Sequence, residues 1–343
     1  MSTACAFTFY KRGLYNRTMK KRVLSGIRAT GRLHLGNYYG AVKGMLELQD
    51  DSEYETLYMV ADVHTITTPY DVAELQKNRR EVFIDYLAAG LDPTRSIIFM
   101  QSDVPQHLEL AFYFSSIATI ARMQHLPTYK DKVKQYPQSN TMALLNYPLL
   151  MASDILVYKA GLVPVGIDQE PHLEVAREIA RRMNEKYGTD FPEPVRFATR
   201  GEYIPSLKGE GKMAKSVSGS YIGLTDSKEE VQKKVRSIPT ATESGGEMTP
   251  GVQSLFSLAK LFLSNISEFE GSYQAGNLQF SSMKDALAEA ISTELSAFQE
   301  KRKEFERDAS SVDRYLKDGA EKAREIASKT TSEVKEKMGL SSK

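Results

Sequence analysis

The sequence holds a single cysteine, Cys5, and no tryptophan. One thiol per chain excludes an intrachain disulfide framework, a Cys-rich structural zinc site and an iron–sulfur cluster. It fits a reducing, cytoplasmic setting. Long hydrophobic runs are missing as well. A membrane-spanning helix needs roughly 18 or more consecutive apolar residues, and the greasiest stretch, residues 142 to 157, is interrupted by Asn146, Pro148 and Asp154. No membrane partner is therefore expected. Nor does charge of one sign dominate: 45 Lys and Arg against 44 Asp and Glu leave a formal net charge of +1. Any nucleic-acid contact has to come from local basic patches. The five histidines form no His-Glu-x-x-His and no pair four apart, so no metal held by protein side chains is expected.

What is present is an ordinary globular composition, 41% apolar and 26% charged over 343 residues, which suggests two domains. Residues 1–19 carry Lys11, Arg12 and Arg17 with no acid and no long apolar core. They read as a disordered tail or an over-extended start ahead of Met19, with an organellar transit peptide as the alternative. From Lys20 to Ser25 a short strand runs into Gly26 and Gly31, and from Asn37 the apolar spacing becomes helical. Leu57–Ala61 and Ile97–Met100 are further strands, and a short one lies around Val163–Val165. Between them, helices are expected over 72–89 (closed by Gly90), 105–122, 141–160 and 169–187. Strands alternating with helices predict an α/β fold: a Rossmann-like parallel sheet with helices on both faces, over residues 20–205. Residues 206–220 are rich in Gly, Lys and Ser and read as a mobile loop. Amphipathic helices follow at 226–236, 250–264, 282–305 and 311–338, an appended all-helical part.

Two segments carry candidate chemistry. The first, Gly26-Ile27-Arg28-Ala29-Thr30-Gly31-Arg32-Leu33-His34-Leu35-Gly36-Asn37, joins the first strand to a helix, where open parallel sheets bind ligands. Gly36 permits close backbone approach, helix-start amides can hold an anion, and His34 and Asn37 can donate to phosphate oxygens. By itself it is equally well a Gly-rich strand-to-helix turn, and it is not a dinucleotide fingerprint. The second, Gly211-Lys212-Met213-Ala214-Lys215-Ser216, lies far downstream in the loop. Two lysines on a closing loop suit charge that develops on a leaving pyrophosphate; a solvated basic loop is the plainer alternative. Asp154 is a third candidate, because a carboxylate inside an apolar helix needs a partner, structural or ligand. His64, His107, His125 and His172 read as packed or surface residues, with His172 near a substrate.

Together, the first two segments resemble the paired signatures of class I aminoacyl-tRNA synthetases. Leu35-Gly36-Asn37-Tyr38 narrows the likeness to the tryptophanyl branch, where Asn replaces the second His of the first signature. Val60-Ala61-Asp62-Val63-His64, Gln101-Ser102-Asp103-Val104-Pro105, Tyr147 to Leu156, and Val163 to Gln169 are similar to that branch too. The resemblance implies His34, Lys212 and Lys215 as catalytic residues. It implies an ATP site of Arg28, Ala29, Thr30, Gly36, Asn37, Gly166, Ile167, Asp168, Ile204 and the loop Lys212, Met213, Ala214, Lys215 and Ser216. For L-tryptophan it implies Asp154 as acceptor of the indole N–H, with Met151, Val163 and Val165 around the ring and Tyr147 and Gln169 at the polar end. Further implications are ATP with Mg2+, tRNA(Trp) as partner, and a homodimer whose contact region is about 80–135. Residues 221–308 would be the anticodon-binding domain, and 309–343 a closing helix returning to the catalytic domain. Three departures stand out: Arg28 where Gln is common, Ala214 for Ser, and Val217 for Asp. A tyrosyl sister, a catalytically idle tRNA-binding paralogue and a small nucleotidyltransferase remain as alternatives.

Overall fold

The computed structural model describes residues 20–198, 203–215, 217–240 and 245–341. The tail read over residues 1–19 and the site residue Ser216 lie outside the described residues.

Five strands, β1 (Lys21–Arg28), β2 (Tyr54–Ala61), β3 (Ile97–Met100), β4 (Leu162–Pro164) and β5 (Val195–Phe197), form one sheet in the order β3-β2-β1-β4-β5. Every pairing is parallel. A sheet buried on both faces needs apolar side chains at consecutive positions, since successive residues point to opposite sides. Tyr58 and Val60 accordingly join one core, while Leu57, Met59 and Ala61 join the other.

Along the chain the helices are α1 (Leu35–Asn37), α2 (Lys43–Asp50), α3 (Asp62–Thr65), α4 (Val72–Ala89), α5 (Gln106–Ser115), α6 (Ile120–Gln124) and α7 (Pro127–Gln135). They continue with α8 (Met142–Leu156), α9 (Glu170–Tyr187), α10 (Lys228–Arg236), α11 (Pro250–Phe262), α12 (Ile266–Gln274), α13 (Phe280–Arg307) and α14 (Ala309–Lys337). A π-helical turn, Tyr38–Val42, links α1 to α2. The helix expected over 105–122 is broken, because Thr119 caps a new start by accepting the Arg122 N–H and Pro127 opens α7. The three residues of β5 and the uncapped α12 carry too little pattern to be expected from sequence.

After α10 to α13, the last helix runs back across the sheet edge. A Cβ at Gly319 would lie 1.8 Å from the Ile98 carbonyl oxygen, so only glycine lets α14 approach β3 this closely.

Candidate active site

The chain leaves β1 for β2 and β3 on one side, then returns to β4 on the other. That reversal makes the carboxyl ends of β1 and β4 a topological switch point, the usual position of a ligand crevice in such sheets. The first signature segment begins in the last residues of β1 and runs on into α1, and the Gly166–Gln169 segment follows β4, so both flank it.

On the β1 side, Arg28 and Thr30 are exposed while Ala29 is buried. Gly36 is required by contact: a Cβ there would sit 2.8 Å from His34 Cε1. The His34 ring thus lies against the start of α1, with Nδ1 buried and no hydrogen-bond partner among the described residues. Burial, reinforced by the Lys215 and Lys212 charges, pushes the imidazole down to about 3. At neutral pH it is an uncharged ring. Asn37 Oδ1 accepts the His34 backbone N–H at 3.3 Å.

The lysine loop reaches both lips. Lys215 Nζ donates to the Gly31 carbonyl at 2.8 Å and the Thr30 carbonyl at 3.3 Å. Lys212 Nζ lies 3.8 Å from Asp168 Oδ1 on the β4 side. Burial lowers the Lys215 ammonium to about 8. Met213 N–H donates to the Ile204 carbonyl at 2.8 Å, and both side chains are buried, so Ile204 meets the loop through its backbone. Ile167, by contrast, is an aliphatic side chain at 66% exposure, an apolar surface open to the crevice. Asp168 is exposed beside it.

Asp154 lies behind the crevice on α8, 1% exposed. Its Oδ1 accepts from Gln101 Nε2 at 2.8 Å and His107 Nδ1 at 2.6 Å; its Oδ2 accepts from His64 Nε2 at 2.8 Å. Burial raises its pKa, but the charge and hydrogen bonds of His64 and His107 outweigh that and hold it below the ordinary carboxylate value. The ionised carboxylate can only accept, so His107 donates through Nδ1. His107 Nε2 lies 2.8 Å from the Tyr158 hydroxyl. Gln101 is oriented in turn, its Oε1 accepting the Val63 and His64 N–H groups at 3.1 and 3.2 Å. Oδ2 carries one such bond where Oδ1 carries two, which leaves acceptor capacity for one more donor.

Tyr147 and Gln169 are joined through His172. The Tyr147 hydroxyl lies 2.7 Å from His172 Nε2 and donates to Thr128 Oγ1 at 2.6 Å, while Gln169 Oε1 is 3.1 Å from His172 Nδ1. Burial and the neighbouring His64 push His172 down to about 4, with Asp168 opposing. Met151 and Val165 are half-buried, and Val163 is buried. Four members of the polar network, His64, Gln101, His107 and Tyr158, are not expected from sequence as site residues. His64 and Gln101 follow β2 and β3 and lie in stretches that resemble the tryptophanyl branch, but their partner on α8 lies 90 and 53 residues away.

The family model for tRNA synthetases class I (W and Y) matches residues 16–308. A tryptophan–tRNA ligase of Treponema pallidum is 40% identical over 332 residues, covering 94% of this chain and 98% of that protein. Among solved structures, the tryptophanyl-tRNA synthetase of Mycoplasma pneumoniae superposes with a TM-score of 0.82 at 31% identity, covering 94% of this chain and 99% of that one. That of Campylobacter jejuni, solved with ADP and tryptophan, gives 0.81 at 32% identity, with 93% and 100% covered.

Proposed function

The chain belongs to the class I tRNA synthetases of the tryptophan and tyrosine branch, and from that premise we propose that it activates L-tryptophan with ATP and transfers it to tRNA(Trp). In the first step a tryptophan carboxylate oxygen bonds to the α-phosphorus of ATP as the α–β bridging bond breaks, and pyrophosphate leaves. In the second, a ribose hydroxyl at the tRNA 3′ end bonds to the acyl carbon and AMP leaves. The substrate supplies its own nucleophile, so the protein's work is positioning and charge stabilisation.

The observation that carries this reading is the span of the lysine loop across the crevice, with Lys215 at Thr30 and Gly31 and Lys212 beside Asp168. A triphosphate lying between these lips would meet both cations. Neutral His34, an N–H donor at the start of α1, suits a contact to a phosphate oxygen. Exposed Ile167 suits an adenine face, and Arg28, Ala29, Thr30, Gly36 and Asn37 line the phosphate side. Magnesium enters with ATP as the substrate complex. Behind the crevice, the spare acceptor capacity of Asp154 suits the indole N–H. The tryptophan name of the relatives favours this amino acid over tyrosine.

We read residues 20–205 as the catalytic domain, 206–220 as the closing loop, 221–308 as the anticodon-binding part and 309–343 as the closing helix. A homodimer through about 80–135 is supported by the exposed apolar side chains of Leu108, Phe112 and Ile120, at 52%, 75% and 63% exposure. Among the described residues no helix is long and apolar enough to cross a membrane, and the lone cysteine favours a cytoplasmic setting.

Charging of tRNA(Trp) and tRNA(Tyr) transcripts with each labelled amino acid tests the proposal. Accumulation of tryptophanyl-tRNA(Trp) alone is expected. Tyrosine transfer, or no transfer of either, would overturn it.

A further inference from the structure

Several contacts that α13 makes with the sheet domain gather around the first signature segment. Arg302 on α13 is 2% exposed and forms an ion pair with Asp85 on α4, itself fully buried. Its Nη2 lies 2.5 Å from Glu81 Oε2 and its Nε 3.1 Å from Glu306 Oε1. The second oxygen of Asp85 accepts the Leu33 backbone N–H at 2.6 Å, one residue before His34. One turn earlier on α13, Gln299 Nε2 donates to the Leu224 and Asp226 carbonyls at 3.0 and 2.9 Å. Leu224 N–H in turn donates to the Leu33 carbonyl at 3.0 Å, and Leu35 N–H to the Ile222 carbonyl at 2.9 Å. Beyond the signature, the Tyr39 hydroxyl donates to Glu294 Oε1 of α13 at 2.7 Å, from within the π-helical turn.

We propose that Arg302 is a positioning residue for the nucleotide-binding signature, acting through Asp85, and that α13 thereby couples the helical part to the ATP site. This rests on the reading of that segment as the ATP site. A buried ion pair is a weak source of net stability, because desolvation of both charges offsets their attraction. What it does supply is a fixed acceptor. Arg302 pins the Asp85 carboxylate, the carboxylate pins Leu33, and Gln299 and Glu294 hold the neighbouring segment and the far end. A shift of α13 therefore moves the groups around His34 together. The carboxylate cannot simply be given up, since a buried backbone N–H left without its acceptor is costly.

The decisive variant is the double change Asp85→Asn with Arg302→Met. The new amide oxygen still accepts Leu33 N–H and no charge is orphaned at the Asp85 position, yet the connection to α13 is cut. In ATP–pyrophosphate exchange, the KM for ATP should rise or kcat should fall by roughly 2- to 30-fold, the range for coupling residues, while the KM for tryptophan stays as in the parent. Arg302→Lys, which keeps the charge, should retain part of the parent's performance. If the double variant fails to fold, Glu294→Ala, at a half-exposed position, should change the ATP parameters in the same selective way. Parent-like ATP parameters in a folded double variant would overturn the inference, as would equal losses for both substrates that track a fall in melting temperature. A parent protein without exchange activity would instead remove the ATP-site reading beneath it.

Discussion

At the scale of single residues, the proposed site assigns different work to Asp154 and Lys215. Under the proposal, Met151, Val163 and Val165 alone would select by size and apolarity, which separates aromatic rings poorly. A fixed acceptor rejects a ring lacking the donor, because its own buried oxygen stays unpaired. Asp154→Ala should therefore cost about 1.5–3 kcal/mol in kcat/KM for tryptophan and narrow the gap to N-methylated indole analogues. It also strips acceptors from His64, Gln101 and His107, so a loss of stability should accompany it. Unchanged discrimination in kinetic comparison of these analogues would leave Asp154 purely structural. Lys215→Ala should lower kcat for adenylate formation about 10²–10³-fold, as for other groups that meet charge developing in the transition state. With its ammonium brought down to about 8, the parent's kcat/KM for ATP should fall as pH rises through that value, because deprotonation removes the cation. Lys215→Arg should move that limb to higher pH, and an alkaline limb that stays in place would mean another group is titrating.

At the scale of elements, α4 shows which parts of the fold are legible in the chain alone. Asp71 accepts Glu74 N–H at the start and Gly90 adopts φ +107 at the end, two local signals that need no tertiary information. The parallel sheet is legible for the same reason, through apolar runs such as Leu57–Ala61. The Asp154 network is not. His64, Gln101 and His107 meet one carboxylate because the order β3-β2-β1-β4-β5 sets the ends of β2 and β3 beside α8, and no spacing in the chain encodes that. Equally hidden is the Arg302–Asp85 pair, 217 residues apart. Packing of α14 gives an element-scale prediction. Gly319→Ala places a methyl against the Ile98 carbonyl and should destabilise by about 1–3 kcal/mol or more, as overpacking does. Urea midpoints measure it, and a parent-like midpoint would show that α14 can slide away from β3 without loss.

For the whole molecule, burial of neutral histidines predicts acid sensitivity. His34 and His172 titrate near 3 and 4 in the folded chain, below the 6.5 of an unperturbed imidazole. The unfolded chain therefore binds protons first as pH falls. Their contribution to stability is full above about 6.5 and declines below it, by up to about 1.4 kcal/mol per pH unit for each group. His172→Asn should flatten the fall in melting temperature between pH 6.5 and 4; an unchanged slope would place the sensitivity elsewhere. The proposed dimer is tested separately. Phe112→Asp should shift the protein from dimer to monomer in sedimentation equilibrium, and a dimer of undiminished affinity would move the interface off α5. The central claim, however, is the chemistry. ATP–pyrophosphate exchange measured with each of the twenty amino acids in turn tests it most directly. Exchange with tryptophan well above every other amino acid is expected, and dominant exchange with tyrosine, or none with any, would contradict tryptophan activation.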